Sequence, residues 1–406
     1  MSTLALLLLL VLGLGAVKLL FVPASLIFEL RERFRRPADV LARTPLLSVI
    51  VPGYNEETVL ENCVASILAS DYPNFEVILV NDGSTDNTGP LMARLAASDP
   101  RILHIDKPNG GKGSALNLGL AAARGEFILC VDSDGIFGPR TMRDLLGGFH
   151  HEKVGAVGGD DRPVNLDNPL TCLLALISHV GTGFIRRALA LLHCMPVVSG
   201  NVGAFRRSAL DVTGPFRTDS LGEDLELTWR MHRAGFDVGF VPRAIVYAES
   251  PSTLKGLWRQ RVRWARGLIQ TTWLHRDMIA NPRFGMFGLF LLFNTLTMIA
   301  VPFIQTGVLI ALPFLPAWRP ADGVAWLGYL GVGVAVGVLL YSIALNGAWA
   351  DLRHLWTLPA WPLYAVFVGF TVVRAMYLEI SGAERAWGKL TRTGVISISA
   401  PGKEAS

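Results

Sequence analysis

The sequence predicts an α/β domain, a mainly parallel sheet with helices on both faces, joined to transmembrane and interfacial α-helices. Two observations carry this. Hydrophobic residues are 51% of the 406 and charged residues 17%, with mean hydropathy +0.40, too apolar for a wholly soluble chain and far from a disordered one. The apolarity is also uneven: long apolar runs at both ends flank a middle where short β-rich runs alternate with amphipathic stretches. At ~100–200 residues per domain the length allows two or three units.

Residues 4–28 are almost uninterrupted apolar sequence, broken only by Lys18, Pro23 and small polar residues, long enough to cross a ~30 Å hydrocarbon layer. Met1-Ser2-Thr3 carries no basic side chain and the run exceeds the apolar core of a secretory signal, so a retained anchor over 1–30 is expected. Arg31, Arg33, Arg35, Arg36 and Arg43 follow at once. The positive-inside rule then puts the middle region in the cytosol of a multi-pass protein of the cell membrane.

Within 46–252, the runs 47–51, 75–81, 102–106 and 127–132 read as buried strands, with helical patterns at 57–69 and 89–97 between them. Ligands on such sheets sit beyond the C-terminal strand ends. Three of those ends run straight into polar sequence: Pro52-Gly53-Tyr54-Asn55-Glu56-Glu57, Asn81-Asp82-Gly83-Ser84-Thr85-Asp86 and Asp132-Ser133-Asp134-Gly135.

Residues 253–259 read as the start of an interfacial segment, 253–282, with Leu254, Leu257 and Trp258 on one side. Membrane texture returns over 283–380: the stretch 285–315 is divided by Pro302 and Pro313, 324–345 is a clean span, and 359–378 carries Arg374. The tail, 381–406, holds Arg385, Lys389, Arg392 and Lys403, which favours the inner side and an even number of crossings. Either the first region forms a broken pair or the last lies along the interface.

Charge and cysteines exclude other classes. The formal charge is 37 − 33 = +4, which juxtamembrane arginines account for, so no nucleic-acid partner is expected. Cys63, Cys130, Cys172 and Cys194 show no C-x-x-C spacing, and buried thiols are expected rather than a zinc site or disulfides.

Several segments can carry chemistry. Asp132-Ser133-Asp134 presents two carboxylates where an apolar strand ends, hard oxygen ligands suited to Mg2+ or Mn2+ bridging a diphosphate; a polar strand-to-loop turn needs the same residues. Asp82 at a strand end can accept from a nucleobase or ribose while Gly83 lets backbone approach a ligand, although an Asx turn before a capped helix fits equally. Asn109-Gly110-Gly111-Lys112-Gly113 lacks the P-loop spacing but can bring Lys112 to a phosphate. Asp224, in Gly222-Glu223-Asp224, is either a helix cap or a general base. In Gln260-Arg261-Val262-Arg263-Trp264, Arg263 can neutralise a leaving diphosphate and Trp264 can wall a sugar ring, or the cluster can meet lipid headgroups.

Together these segments resemble the membrane-embedded processive glycosyltransferases of family 2: hyaluronan, chitin, cellulose and poly-N-acetylglucosamine synthases. The resemblance covers most of the chain. It implies a GT-A, Rossmann-like catalytic domain, Asp82 on the uracil, and Asp132 and Asp134 holding the nucleotide-diphosphate metal, Mg2+ or Mn2+. It makes Glu223-Asp224 the remnant of a T-E-D motif with Gly222 in place of threonine, Asp224 being the base, and Gln260, Arg263 and Trp264 a complete Q-x-x-R-W. Tyr54, Glu56, Lys112 and Gly200 join the substrate-binding set. The runs 199–207 and 253–261 and the tail Trp387-Gly388-Lys389-Leu390 look most like the bacterial poly-β-1,6-N-acetylglucosamine synthases, a group that commonly begins with two spans where one is read here.

The implied activity is processive, inverting transfer from a UDP-sugar, UDP-N-acetylglucosamine first among candidates, onto a growing polysaccharide, with translocation across the bilayer. The implied partners are that donor, the polymer, the lipid bilayer and an accessory membrane subunit. The alternatives are a single transfer onto a membrane lipid such as ceramide, a hyaluronan- or glucan-type synthase with another donor, or a transporter that kept a nucleotide-binding domain.

Overall fold

The computed structural model describes residues 13, 15–35, 38–311, 322–384 and 392–397. Expectations placed on residues 4–12, Arg36, Arg385, 387–390 and Lys403 lie outside the described residues.

The four expected strands form, each within two residues of its reading: β1 Leu47–Gly53, β2 Phe75–Asp82, β3 Ile102–Lys107 and β4 Phe127–Cys130. Four more follow, β5 Ile136–Phe137, β6 Val154–Pro163, β7 Gly203–Arg206 and β8 Asp237–Ala248. They make one eight-stranded sheet in the order β3-β2-β1-β4-β7-β6-β8-β5. Pairing is parallel through β3-β2-β1-β4, antiparallel on both sides of β7, parallel for β6 with β8, and antiparallel at β5.

The α-helices of six or more residues are α1 Phe21–Arg33, α2 Leu60–Leu68, α3 Thr88–Ser98, α4 Lys112–Ala122, α5 Thr141–Gly147, α6 Pro169–His179, α7 Arg186–Leu191, α8 Arg207–Thr213, α9 Glu223–Arg233, α10 Leu254–Leu274, α11 Gly285–Thr295, α12 Val301–Ala311, α13 Asp322–Leu345 and α14 Trp361–Ile380. Strand alternation divides the core. Val49, Val51, Val77, Leu79 and Leu129 face one cluster with α2, while Ile50, Ile78, Val80 and Ile128 face the other with α4 and α9. Both faces are therefore covered, the reason these strands read as continuous apolar runs.

Two readings change. The helix expected over 253–259 runs on to Leu274: the Thr253 side chain caps its start at Gly256 N (3.1 Å), and no proline interrupts the sequence before His275. The Gln260 to Trp264 segment therefore lies inside a helix. Residues Pro169–Leu191 form a helical stretch, α6, a π turn and α7, long and apolar enough to cross a membrane, which the sequence reading did not single out. It joins the end of β6 to the start of β7, neighbours in one sheet. A single crossing there would put two paired strands on opposite sides of a bilayer, so this helix packs on the domain.

Among the described residues, Pro282–Gly307 and Trp349–Ile380 are also long and apolar enough to span, and the 24-residue α13, Asp322–Leu345, lies between them. These segments dock on the domain through buried polar ties. Arg187 donates to Glu29 of α1 (2.9 Å) and to Asn346 Oδ1 beyond α13 (2.7 Å), and Arg266 of α10 donates to Glu379 of α14 (2.5 Å). The four cysteines are free and buried.

Candidate active site

The polar loops after β1, β2 and β4 are stitched into one rim. Asn55, in the left-handed region at φ 56°, accepts from Thr85 N at 2.7 Å, and its own N–H donates to Ser84 Oγ at 3.0 Å. Glu56 N–H reaches Thr88 Oγ1 at 2.7 Å, and the Ser133 hydroxyl donates to the Pro52 carbonyl at 2.6 Å. Tyr54, 37% exposed, projects from this rim.

Asp82 is buried and its carboxylate is engaged within the rim. Oδ1 receives Gly110 N–H at 2.9 Å and the Lys107 ammonium, while Oδ2 receives Gly111 N–H at 2.8 Å. This clamps the 107–111 turn and so fixes where α4, with Lys112 as its first residue, begins. Gly83 allows the clamp: at φ 72° it is left-handed, and a Cβ there would sit 2.6 Å from Asn109 N.

Lys112 is where the separate motifs meet. Its Nζ lies 2.6 Å from Asp132 Oδ1 at the end of β4 and 3.3 Å from Glu223 Oε1 at the start of α9. Burial pulls the Lys112 pKa down, but Asp132, Glu223 and Asp224 together hold it above the usual lysine value, keeping the ammonium charged. Gly200 leaves it room, since a Cβ at that position would fall 2.6 Å from Lys112 Nζ.

The adjacent acids of α9 differ in environment. Glu223 is 3% exposed, and burial raises its pKa against the pull of Lys112 and Arg263. Asp224 is half-buried, with Oδ2 accepting Gly200 N–H at 3.1 Å and Oδ1 accepting Leu225 N–H at 2.8 Å. One acid is thus an internal counter-ion and the other keeps partial exposure.

The two aspartates of D-x-D also diverge. The Asp132 side chain is 34% exposed. Asp134 is buried, with Oδ2 accepting Glu249 N–H at 3.0 Å and the Arg392 guanidinium at 2.9 Å. Burial nonetheless holds the Asp134 pKa above the ordinary value, with Arg392 opposing. Arg392 was read as a topological charge of the tail; in the structure it also approaches Glu56 (3.9 Å), and Thr393 N–H donates to the Glu249 carboxylate at 2.9 Å. Its distance along the chain hid this role.

As a donor set for a divalent ion, these are hard oxygens, the right chemistry for Mg2+ or Mn2+. No group of three or more His, Cys, Asp or Glu able to hold a metal occurs among the described residues. The residues present fit an ion that takes most of its ligands from substrate phosphates and water, the usual habit of Mg2+.

Gln260, Arg263, Trp264 and Gly267 share one face of α10 by their i, i+3, i+4, i+7 spacing. Gly267 fixes that face against the start of α9: a Cβ there would lie 3.1 Å from Gly222 Cα. Arg263 is close enough to Glu223 to lower its pKa. Trp264 stands at the edge, 49% exposed, with the Arg261 guanidinium 4.3 Å above its ring, and Gln260 Oε1 is buried without a hydrogen-bond partner among the described residues.

Sequence and structure comparisons bear on the family and the fold. A family profile described as glycosyltransferase like family 2 matches residues 44–267. Poly-beta-1,6-N-acetyl-D-glucosamine synthase of Staphylococcus aureus (strain COL) is 31% identical over 266 residues, 65% of this chain and 64% of that protein. The chain therefore spans just under two thirds of the length of that relative. The synthase of Staphylococcus epidermidis is 32% identical over 223 residues, 54% of each chain. Among solved structures, a mannosyltransferase from Pyrobaculum calidifontis, determined with GDP-Man and Mn2+, covers 93% of this chain and 100% of its own at 22% identity and a TM-score of 0.64, a likeness of fold.

Proposed function

The chain belongs to glycosyltransferase family 2, and from that premise we propose that it is an inverting, metal-dependent enzyme that polymerises a UDP-sugar, UDP-N-acetylglucosamine first among donors, into a β-linked polysaccharide. The observation that carries the catalytic reading is the bridge at Lys112, whose ammonium joins the D-x-D carboxylate Asp132 to the acidic start of α9. The choice of sugar rests on the synthase relatives.

In this reading Asp224 is the general base. Gly200 N–H orients its carboxylate toward the cleft, where it takes the proton of an acceptor hydroxyl as that oxygen attacks the anomeric carbon. The bond from that carbon to the diphosphate breaks, UDP departs with the electron pair, and a single displacement inverts the centre. Glu223, buried and paired with Lys112, does not compete for the role. Lys112 and Arg263 stabilise charge on the leaving diphosphate. Asp132, supported by Asp134, would hold the Mg2+ or Mn2+, which when bound supplies further neutralisation of that charge. Asp82 positions the loop carrying Lys112 beside the nucleoside, and Tyr54 and Trp264 wall the cleft. Gln260 and Glu56 complete its lining.

The catalytic domain lies in the cytosol of a multi-pass membrane protein, beside helices that offer the product a path outward. Purified protein in sealed proteoliposomes, given UDP-N-acetylglucosamine and Mg2+ or Mn2+ outside, should produce high-mass glycan protected in the lumen. A single sugar on an extractable lipid would replace polymerisation with the lipid-transfer alternative.

A further inference from the structure

The donor-facing groups lie on the loops of β1, β2 and β4, but the same edge of the sheet continues past them. In the order β4-β7-β6, β7 begins where β4 ends, Cys130 pairing with Gly203, and β6 runs on beyond its pairing with β7 to Asp160 and Asp161. The turn before β7, Ser199-Gly200-Asn201, holds Asp224 through Gly200 N–H. Asp224 is thereby tied to the turn that leads into β7, the strand between β4, which ends just before Asp132, and β6, which carries Asp161, the two outer strands being roughly 10 Å apart at two inter-strand spacings.

Asp161 is incompletely satisfied. Its Oδ2 lies 3.5 Å from Arg186, and the Ser199 hydroxyl and the Asp132 charge both act on it. Its Oδ1 is buried with no hydrogen-bond partner among the described residues, while the side chain as a whole is 26% exposed. A second orphan accompanies it: Asn201, 7% exposed, has an unpartnered Oδ1 beside Gly135, and its N–H donates to Ser199 Oγ at 3.4 Å. Buried acceptors without donors are rare in folded proteins, and each asks for a reason. No step of the donor chemistry uses either group.

We propose that Asp161, with Ser199 and Asn201 beside it, is the acceptor subsite: it accepts hydrogen bonds from hydroxyl or amide N–H groups of the acceptor saccharide and holds the attacking hydroxyl against Asp224. The inference rests on the glycosyltransferase reading above. The acceptor hydroxyl, held beside the base, then meets the anomeric carbon on the side opposite the departing diphosphate, the relation an in-line displacement requires. Arg186 and Ser199 keep the Asp161 carboxylate turned toward the cleft.

The test separates acceptor from donor. In purified full-length protein, Asp161→Ala should raise the KM for a β-linked N-acetylglucosamine tetrasaccharide about tenfold or more, with the near-isosteric Asp161→Asn intermediate. It should leave the KM for UDP-N-acetylglucosamine, and acceptor-independent UDP release, within about twofold. A merely structural residue would move donor and acceptor constants together. Direct binding of the tetrasaccharide in the presence of UDP, measured by saturation-transfer NMR, should weaken in parallel in Asp161→Ala. Unchanged tetrasaccharide binding, or a parallel rise in the donor constant, overturns the proposal. Failure of the wild-type protein to release UDP at all would instead defeat the parent reading, and the binding measurement would still decide the acceptor site.

Discussion

The backbone N–H of Gly200 donates to Asp224 Oδ2 at 3.1 Å, tying the turn before β7 to the first turn of α9. That contact fixes the orientation of the half-buried acid of the Glu223-Asp224 pair, and it ties that orientation to the backbone at Gly200.

Gly200→Ala therefore affects activity more than stability. The added Cβ would fall 2.6 Å from Lys112 Nζ, the far end of a long side chain that can give way at the cost of its ion pairs. Thermal unfolding should stay within a few degrees of wild type, while kcat falls roughly tenfold or more as the Lys112 bridge is displaced. A drop in melting temperature of ten degrees or more with normal turnover of the folded fraction would contradict this.

Lys112→Met removes the cation between Asp132 and Glu223. Glu223, already held above the ordinary carboxylate pKa by burial, loses an opposing charge and should titrate higher still. The kcat should fall on the order of a hundredfold, and the melting temperature should drop more with rising pH than in wild type, since the buried Glu223 carboxylate then ionises without its ammonium. Steady-state kinetics at pH 7.5 and thermal unfolding between pH 5.5 and 8.5 check the two.

Arg392→Ala should destabilise the protein by about 3 kcal/mol, since it leaves the buried Asp134 carboxylate without its guanidinium. Arg392→Ala with Asp134→Asn should recover much of that loss. Denaturation of the two singles and the double supplies the cycle, and strict additivity would show that the ion pair is not coupled.

Burial pushes the Asp161 pKa up from 3.8 to about 6, against the pull of Arg186. A carboxyl raised in the folded state contributes stability that is complete below about pH 4 and is lost as pH rises through 6. Asp161→Asn, which stays neutral, should thus gain melting temperature over wild type at pH 7.5 and gain much less at pH 4.5, measured in EDTA. A pH-independent difference would contradict the buried-charge account. A variant that is more stable yet handles acceptor less well is the signature of a residue kept for function.

How far the sequence could be read follows from the range of each interaction. The strands β1, β2 and β4 are legible because they are buried on both faces, and β3, a partly exposed edge strand, because turn residues bound its short apolar run. The strands β6 to β8 mix parallel and antiparallel pairing around the helical stretch Pro169–Leu191, and nothing local signals which partner each takes. Lys112 was legible as a candidate phosphate contact, but its ion pairs join β4 to α9 across the chain. Asp82 at a strand end suits a nucleobase or ribose contact and a turn alike; that its carboxylate also holds the 107–111 turn depends on backbone N–H groups that no side-chain pattern reveals. Asp161 and Arg392 carried no motif that separates them from surface charges.

The account turns on Asp224 as the base of a single glycosyl transfer. The direct measurement is the turnover of UDP-N-acetylglucosamine by membranes carrying wild-type or Asp224→Asn protein, with UDP binding followed in parallel. Turnover lowered by about a thousandfold or more, with UDP affinity within threefold of wild type, is the predicted result. Turnover that survives the substitution, or UDP affinity that collapses with it, would show that Asp224 does not take the acceptor's proton.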